Sequence, residues 1–377
     1  MNERVGTRRM MCAGRVFLTS LVVCGLIGAI GCGSSGSGGS GTGGGGAGSG
    51  TPLVSGGAKD IYVVQLDSSG MAAQSVMDFA ADTDGSLTPK TTFLPAAGFG
   101  ILSIATDSGG QLYVGVASLS STAPPVYQVL VYASGATSTS TPMRTINLPA
   151  VINEGFLPLE MTVDASGKLY VVGLGVVGVF AANANGDASP TSMFTLANGS
   201  GPTGIAVDAA GNVYIANFVA ANADTPGGGE ILIFAAGASG TALPMETIST
   251  QGEPYGVTLD ANGNIYTSLN TLMLSSSGAI TTSTCQVMEF GSLAAGSLAT
   301  LKTITGTATG VSFGAGPQID LAGNLYLVSE VTSGTGNDVK YTDQVVGFAP
   351  TATGNVAPGV MFSSSSWTLA GSQIAVH

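Results

Sequence analysis

The segment Pro202–Asn217 reads PTGIAVDAAGNVYIAN: a short apolar strand, an Asp, a turn that contains Gly, and a second strand that carries a Tyr. The same pattern begins again at Ile101, Met161, Gly256 and Gln318. The Asp residues of the five copies are 44 to 60 residues apart: Asp107, Asp164, Asp208, Asp260 and Asp320. A period of this length predicts an architecture in which each copy forms one supersecondary unit.

Two more short apolar segments follow each pair of strands. The third segment ends in an aromatic residue, as in Ile231–Gly237 (ILIFAAG), and the fourth follows a turn that often contains Pro, as in Glu246–Ile248. Alternating runs separated by turn residues indicate strands and hairpins, and no amphipathic helical pattern interrupts them. Units of four strands are typical of the blades of a β-propeller.

A sixth unit is divided between the two ends of the chain. Lys59–Val64, Val76–Asp82 and Thr91–Leu94 match the second, third and fourth strands, but no first strand precedes them. Gly371–His377 (GSQIAVH) matches the missing strand, with His377 at the position of the Asp. We therefore predict an all-β fold, a six-bladed β-propeller of four-stranded blades. The C-terminal strand pairs with the N-terminal blade, which closes the ring and removes free sheet edges.

The repeat resembles that of the NHL-type propellers, whose motif is similar to P-x-G-I-A-V-D-x-x-G-N-V-Y-V-x-D. The match is fullest at Pro202–Asn217 and Pro254–Ser268. The resemblance implies a relation to the propeller superfamily of the gluconolactonases and streptogramin lyases. WD40 repeats are excluded because one Trp and one His cannot supply a Gly-His and a Trp-Asp pair in every blade. The D-x-x-G-N element lacks the additional acids of an EF-hand loop, so we interpret its Asp as the cap of a hairpin turn.

The N-terminus predicts export and attachment to a lipid. Residues 1–15 carry four Arg and one Glu, and an uncharged run of sixteen residues follows. This pattern is typical of a secretory signal, and the run is short for a membrane-spanning helix of about 20 residues. The run ends Ala29-Ile30-Gly31-Cys32, which resembles the lipobox of bacterial lipoproteins. The resemblance implies cleavage before Cys32, lipidation of its sulfur and, with Gly33 next, an outer-membrane location. An ordinary cleaved signal and an uncleaved anchor are the alternatives.

Three segments follow from these observations. We expect a signal peptide over residues 1–31, a lipidated Cys and a flexible Gly/Ser tether over residues 32–57, and the propeller over residues 58–377. Without the signal, 6 Lys and Arg face 21 Asp and Glu, a net charge of −15. This charge disfavours a nucleic-acid partner, so the lipid must hold the protein at the membrane. Cys285 alone remains beyond Cys32, which excludes an internal disulfide, and we interpret it as a packing residue. We expect a monomer.

The connections between second and third strands differ most in length from unit to unit. In a propeller these connections share a face with the entries to the inner strands, and variable loops on a rigid scaffold commonly carry binding. We therefore predict a ligand site at the mouth of the central funnel on this face. Its candidate residues are Glu160, Asn217, Glu253, Tyr255, Asn270 and Glu330. The alternative is that these are solvated rim residues.

The composition argues against catalysis. The single His is the last residue, so neither a Ser-His-Asp triad nor a His/Cys zinc site can be assembled. We therefore predict a non-enzymatic cell-envelope protein that binds a protein or glycan through its variable-loop face, without a cofactor. The resemblance implies the alternative of a metal-dependent lactonase- or lyase-like enzyme, with a divalent metal held by carboxylates and amides in the funnel. The streptogramin lyases use a His that has no counterpart here. A purely structural envelope protein is the third possibility.

Overall fold

The computed structural model describes residues 50–66, 73–81, 88–95, 98–119, 125–149, 157–196, 201–219, 228–274, 280–296, 298–311, 313–333, 340–363 and 369–377. These residues form six sheets and two single-turn 3-10 helices, Leu293–Ala295 and Thr307–Thr309. No helix within the described ranges is long and apolar enough to cross a membrane. The predicted all-β, six-bladed propeller is confirmed. The predicted signal peptide, Cys32 and most of the predicted tether lie outside the described residues.

The strands of each blade follow one another from the centre of the ring outward. Blade 1 consists of β25 (Leu369–Val376), β1 (Asp60–Leu66), β2 (Ala73–Ala80) and β3 (Thr91–Phe93). Blade 2 consists of β4 (Phe99–Thr106), β5 (Leu112–Ser118), β6 (Tyr127–Tyr132) and β7 (Arg144–Asn147). Blade 3 consists of β8 (Glu160–Val163), β9 (Leu169–Gly173), β10 (Val176–Phe180) and β12 (Ser192–Thr195).

The second half of the ring has the same order. Blade 4 consists of β13 (Gly201–Val207), β14 (Val213–Val219), β15 (Gly228–Phe234) and β16 (Glu246–Thr250). Blade 5 consists of β17 (Glu253–Leu259), β18 (Ile265–Leu274), β19 (Ile280–Phe290) and β20 (Thr300–Thr305). Blade 6 consists of β21 (Phe313–Ile319), β22 (Leu325–Ser333), β23 (Lys340–Phe348) and β24 (Val360–Ser363).

The ring closes in blade 1, where the last strand pairs with the first. In this antiparallel pair Val376 lies opposite Ile61 and Ala375 lies opposite Tyr62. The backbone amide of His377 donates to the carbonyl of Asp60, and the Asp60 amide donates back, both at 2.9 Å. His377 therefore occupies the position that Asp holds in the other blades, as the sequence predicts.

The hairpin between the first two strands of a blade is capped by its Asp. In blade 4, Oδ1 of Asp208 accepts the amides of Ala210 and Asn212 at 2.9 and 2.8 Å. Its Oδ2 accepts Nδ2 of Asn212 at 2.8 Å and the hydroxyl of Tyr214 at 3.1 Å. Gly211 takes the left-handed conformation at φ +88°, which is strained for any residue with a Cβ. The interpretation of the Asp as a turn cap is confirmed, and the repeated Tyr belongs to the same network.

The core lies between adjacent blades rather than at the centre of the ring. One cluster joins Val172 and Phe194 of blade 3 to Ile215 and Leu232 of blade 4, and all four are buried. Each such side chain stabilises the fold by about 1.5–3 kcal/mol through apolar burial. The apolar faces of the alternating strands are therefore shared between neighbours, and no blade has a complete core of its own.

The outer strands of several blades are also joined to the next blade by backbone hydrogen bonds. Between blades 3 and 4, the Gly240 amide donates to the carbonyl of Met193 at 2.9 Å, and the Thr195 amide donates to Gly240 at 2.8 Å. Between blades 2 and 3, a two-residue strand, β11 (Gly186–Asp187), pairs in parallel with β7. The second sheet consequently has five strands, one more than the repeat predicts.

The residues before β1 lie against blade 6. Asn324 holds this segment at both polar atoms of its side chain: Oδ1 accepts the Val54 amide at 2.7 Å, and Nδ2 donates to the Val54 carbonyl at 2.8 Å. The Ala58 amide donates to Oδ2 of Asp320 at 3.0 Å. Leu53 packs on the core between blades 6 and 1. The described end of the N-terminal segment is thus fixed to the turn of blade 6.

The turn caps predict unequal costs for the same substitution. Asp320 is buried and accepts Asn324, Tyr326 and the Ala58 amide in addition to its own turn. Asp107 caps its turn through the amides of Gly109 and Gln111, and Gln111 stands where blade 6 has Asn324. We expect Asp320→Ala to lower the free energy of unfolding by about 2–4 kcal/mol and Asp107→Ala by about 1 kcal/mol. Urea denaturation of the two variants measures the difference, and equal costs would contradict this account.

Candidate functional site

One face of the ring carries the hairpins between second and third strands and the starts of the inner strands. Glu160 and Glu253 are the first residues of the inner strands β8 and β17. Asn217, Asn270 and Glu330 lie in β14, β18 and β22. Asn270 is the register partner of Glu253. Two of the six predicted site residues are therefore direct neighbours in blade 5.

Glu253 and Tyr255 interact with each other. The Tyr255 hydroxyl donates to Oε2 of Glu253 at 3.1 Å. The Tyr255 ring is buried and its centre lies 5.3 Å from that of Phe313, at the start of β21 in blade 6. Burial raises the pKa of Glu253, and the hydrogen bond from Tyr255 partly opposes this rise. The pair therefore holds a half-buried carboxylate at the boundary of blades 5 and 6.

Asn270 uses its amide group to join blade 5 to blade 6. Its Nδ2 donates to the carbonyl of Gly314 at 2.8 Å, and its Oδ1 accepts the Gly314 amide at 3.1 Å. A Cβ at position 314 would lie 2.7 Å from Leu327 Cδ1 and 3.0 Å from Cys285 Sγ, so only Gly fits there without displacement. Both ends of the Asn270 amide thus serve contacts between blades.

Asn217 lies in blade 4 and forms a different pair. Its Nδ2 donates to Oε1 of Glu230 in β15 at 2.9 Å. The side chain is buried, and Oδ1 has no hydrogen-bond partner within the described part of the chain. Glu160 starts the inner strand of blade 3, opposite Val172, and Glu330 lies opposite Phe313 in blade 6. The structure therefore brings Glu253, Tyr255 and Asn270 together and places the other three on blades 3, 4 and 6.

Hydroxyl groups near the axis also connect neighbouring blades. Ser103 donates to the carbonyl of Pro158, and Thr203 donates to the carbonyl of Pro254, both at 2.6 Å. In each case the acceptor lies near the start of the next inner strand. A Cβ on Gly204 would lie 2.5 Å from the Cα of Gly256, so the inner strands of blades 4 and 5 meet backbone to backbone. These polar groups hold the ring together.

The hairpins on this face differ strongly in height. In blade 5 the paired strands β18 and β19 continue past Asn270 to the pair of Leu274 with Ile280. At about 3.3 Å per residue, they extend about 13 Å beyond Asn270. In blade 6 the pairing ends at Ser333 and Lys340, about 10 Å beyond Glu330. The sequence indicated variable connections here, and in the structure part of their length is paired strand.

Blade 3 is the low side of the face. Its strands β9 and β10 have five residues each and meet at the pair of Gly173 with Val176. The strands β18 and β19 of blade 5 have ten and eleven residues. The face is therefore a slope that rises from blade 3 to the hairpins of blades 5 and 6.

The described carboxylates are dispersed rather than clustered. Within the ranges that the structure describes, no three His, Cys, Asp or Glu side chains lie together in a metal-binding arrangement. The side-chain amide of Asn270 is hydrogen-bonded to the backbone of Gly314, and the carboxylate of Glu253 accepts a hydrogen bond from the Tyr255 hydroxyl. Burial raises the pKa of the Cys285 thiol to about 12, which disfavours the nucleophilic thiolate. The interpretation of Cys285 as a packing residue is confirmed by its burial.

Comparison with known proteins places the chain by its fold. No protein-family model matches the sequence, and no curated protein matches it. A protein of unknown function from Bacteroides caccae has a similar structure, with a TM-score of 0.55 and 11% identity over 85% of this chain and 98% of that chain. A gluconolactonase from Xanthomonas campestris matches with a TM-score of 0.41 and 13% identity, over 81% of this chain and 88% of that chain. At 11% sequence identity, the structural similarity to the Bacteroides protein establishes a shared fold and nothing about function.

Asn270 is predicted to be essential for stability. Asn270→Ala leaves the buried amide and carbonyl of Gly314 without partners, so we expect a loss of about 2–4 kcal/mol in the free energy of unfolding. The exposed Asn262→Ala is the control, with an expected change within about 0.5 kcal/mol. Chemical denaturation followed by circular dichroism measures both. Equal stability of the two variants would contradict a structural role for Asn270.

Proposed function

We propose that the protein is a non-enzymatic, lipid-anchored propeller of the bacterial cell envelope. It binds a protein or a glycan partner through the face that carries the raised hairpins of blades 5 and 6. The observation that supports this proposal is the slope of that face, on which paired strands extend about 13 Å beyond Asn270 in blade 5 while blade 3 stays low. Projecting hairpins on a closed ring give a recognition surface that can vary without disturbing the fold.

The use of polar groups near the axis supports a binding role over a catalytic one. Asn270, Ser103 and Thr203 hydrogen-bond to the backbone of the next blade. Groups that hold the scaffold in this way cannot move with a reacting substrate without loosening the ring. The described residues also include no His other than His377, whose backbone closes blade 1. The proposed binding requires no cofactor, and we propose that one propeller acts as a monomer.

The attachment to the membrane is proposed from the sequence Ala29-Ile30-Gly31-Cys32 and the Gly/Ser segment that follows it. The Gly/Ser composition of residues 33–49 predicts a random coil, for which the root-mean-square span would be about 20–25 Å. The described chain begins beside blade 6, where the Gly50 amide donates to Pro358 at 3.2 Å. A lipid on Cys32 in the outer membrane would thus hold the propeller at a short distance from the bilayer.

Replacement of Cys32 tests the anchor. We expect Cys32→Ser to move the protein from the membrane fraction to the soluble fraction, because the mature chain would carry a net charge of −15 and no lipid. Fractionation of cells that express each form, with detergent extraction of the wild type as the control, measures the distribution. Membrane retention of Cys32→Ser would contradict lipid anchoring.

Shortening the raised hairpins tests the binding face. We design one variant in which Asn-Gly replaces residues 272–283 and residues 332–341, because Thr271 pairs with Thr284 and Val331 pairs with Thr342. The matched control has Asn-Gly in place of residues 220–227 in blade 4, where Val219 pairs with Gly228. Envelope proteins and purified envelope glycans are incubated with each immobilised form. We expect a partner that the wild type and the control retain and the shortened variant loses.

Three outcomes contradict the proposal. Equal retention of a partner by the wild type and the shortened variant would show that these hairpins do not bind it. The absence of any enriched partner would favour a purely structural protein. A rise in melting temperature with Ca²⁺, Mg²⁺, Mn²⁺ or Zn²⁺ that Glu253→Ala abolishes would favour the enzymatic alternative, because a ligand that binds only the folded state stabilises it. Melting curves of chelator-free protein measure this.

A further inference from the structure

The outer strand of blade 4 differs from the outer strands of blades 2, 3 and 5. In those three blades a Gly of the next blade forms a parallel backbone bridge with the buried apolar residue of the outer strand. The bridged pairs are Ile146 with Gly186, Phe194 with Gly240, and Ile304 with Gly354. The corresponding residue of β16 is Ile248, which is buried like the other three.

The bridge has a fixed hydrogen-bond pattern. Between blades 5 and 6 the Gly354 amide donates to the carbonyl of Thr303 at 2.7 Å, and the Thr305 amide donates to the carbonyl of Gly354 at 3.0 Å. The Gly thus bonds to the residues on either side of Ile304. By the same pattern, β16 presents the carbonyl of Thr247 and the amide of Ser249 at its outer edge.

The corresponding Gly of blade 5 is Gly296, at φ +68°, but its amide donates to the carbonyl of Leu293 at 3.0 Å and it forms no bridge to β16. The single-turn 3-10 helix Leu293–Ala295 follows β19 at this place, and its first residue packs on the cluster that contains Ile248. No backbone hydrogen bond joins the described part of this segment to Thr247 or Ser249. Both of these residues are exposed, as are Met193 and Thr195 at the bridged edge of blade 3, so the missing backbone hydrogen bonds, and not exposure, distinguish this edge. The edge of β16 is therefore available for pairing.

Exposed apolar side chains lie immediately before this edge. Leu243 is 86% exposed and Met245 is 43% exposed. An unpaired strand edge is a template for another chain, and natural proteins usually cover it or protect it with charge. Apolar side chains beside such an edge give an added segment a surface to pack on. This combination is expected of a recognition site.

We propose that β16 binds a Gly-containing segment of a partner polypeptide through a parallel β-bridge, with the Gly opposite Ile248. The three bridges within the protein define the chemistry of this segment. Each internal example has a small polar residue on both sides of the Gly: Asn185-Gly186-Asp187, Ser239-Gly240-Thr241 and Thr353-Gly354-Asn355. Each Gly has a positive φ of 63° to 68°, which disfavours a residue with a Cβ. This site is independent of the raised hairpins.

Amide hydrogen exchange of the whole folded protein provides the first test. We expect the Ser249 amide to exchange at least about tenfold faster than the bridged amides of Thr195 and Thr305, because no partner protects it. Equal protection at Ser249 in the free protein would overturn the proposal, since the edge would already be covered.

A peptide probe provides the second test. The probe is a capped peptide with the sequence of residues 235–243, AAGASGTAL, whose Gly240 bridges blade 3, and its control has Val in place of that Gly. We expect the probe, in the millimolar range, to slow exchange at Ser249, and the control peptide to leave it unchanged. No effect of the probe, or an equal effect of both peptides, would overturn the proposed ligand chemistry.

Two variants locate the binding at the strand edge. Ser249→Pro removes the outward amide without touching the ladder to β15, and Pro is tolerated on edge strands. Ser249→Ala keeps the amide and is the matched control. We expect Ser249→Pro to weaken probe binding about tenfold and Ser249→Ala to leave it unchanged, at equal melting temperatures. Equal binding by both would overturn the proposal. A dimer in sedimentation that Ser249→Pro abolishes would instead identify a second copy as the occupant.

Discussion

The pairing of β25 with β1 is the constraint on which the rest of the structure depends. The core lies between blades, so every blade needs two neighbours to bury both of its faces. Without the last strand, blade 1 would lose its inner strand, and the buried Ile374 and Ala375 with it. Two backbone bonds between Asp60 and His377 complete the turn that Asp caps in the other blades. The pairing of one strand from each end of the chain therefore converts an open array of sheets into a closed ring.

Closure determines where chemistry can be placed. The polar side chains nearest the axis are used to hold one blade to the next, as Asn270 does with Gly314 and Thr203 with Pro254. Their hydrogen bonds fix the inner strands of neighbouring blades relative to each other. What remains free to vary is the height of the hairpins and the outer edge of each blade. The two proposed binding surfaces lie in these two places.

The sequence predicts the ring well because the repeat carries its own register. The Asp, the Gly and the Tyr stand at fixed offsets, and Gly371–His377 supplies the strand that the first unit lacks. The role of Asn270 was not predictable, because its partner Gly314 is 44 residues away and is recognised by a missing Cβ. The paired extension of β18 and β19 is not predictable either, because its Thr-rich sequence lacks the alternation of a half-buried strand. The bridging Gly residues at the rim stand six residues after the aromatic residue of the third strand, but this offset does not reveal which residue each Gly pairs with. A ligand at Glu160, Asn217, Glu253, Tyr255, Asn270 and Glu330 stays a prediction.

The contact of the N-terminal segment with blade 6 has a mechanical consequence. A pull on the preceding chain reaches the hydrogen bond of Gly50 to Pro358 first, then the two hydrogen bonds of Val54 to Asn324, and only then Ala58 and β1. The force therefore enters the ring through blade 6 and not through the paired strands β25 and β1. The hydrogen bonds of Asn324 to Val54 and of Asp320 to Ala58 therefore bear this force before it reaches β1. The pairing of β25 with β1, where only hydrogen bonds close the ring, is thus protected from a force applied through the N-terminal segment.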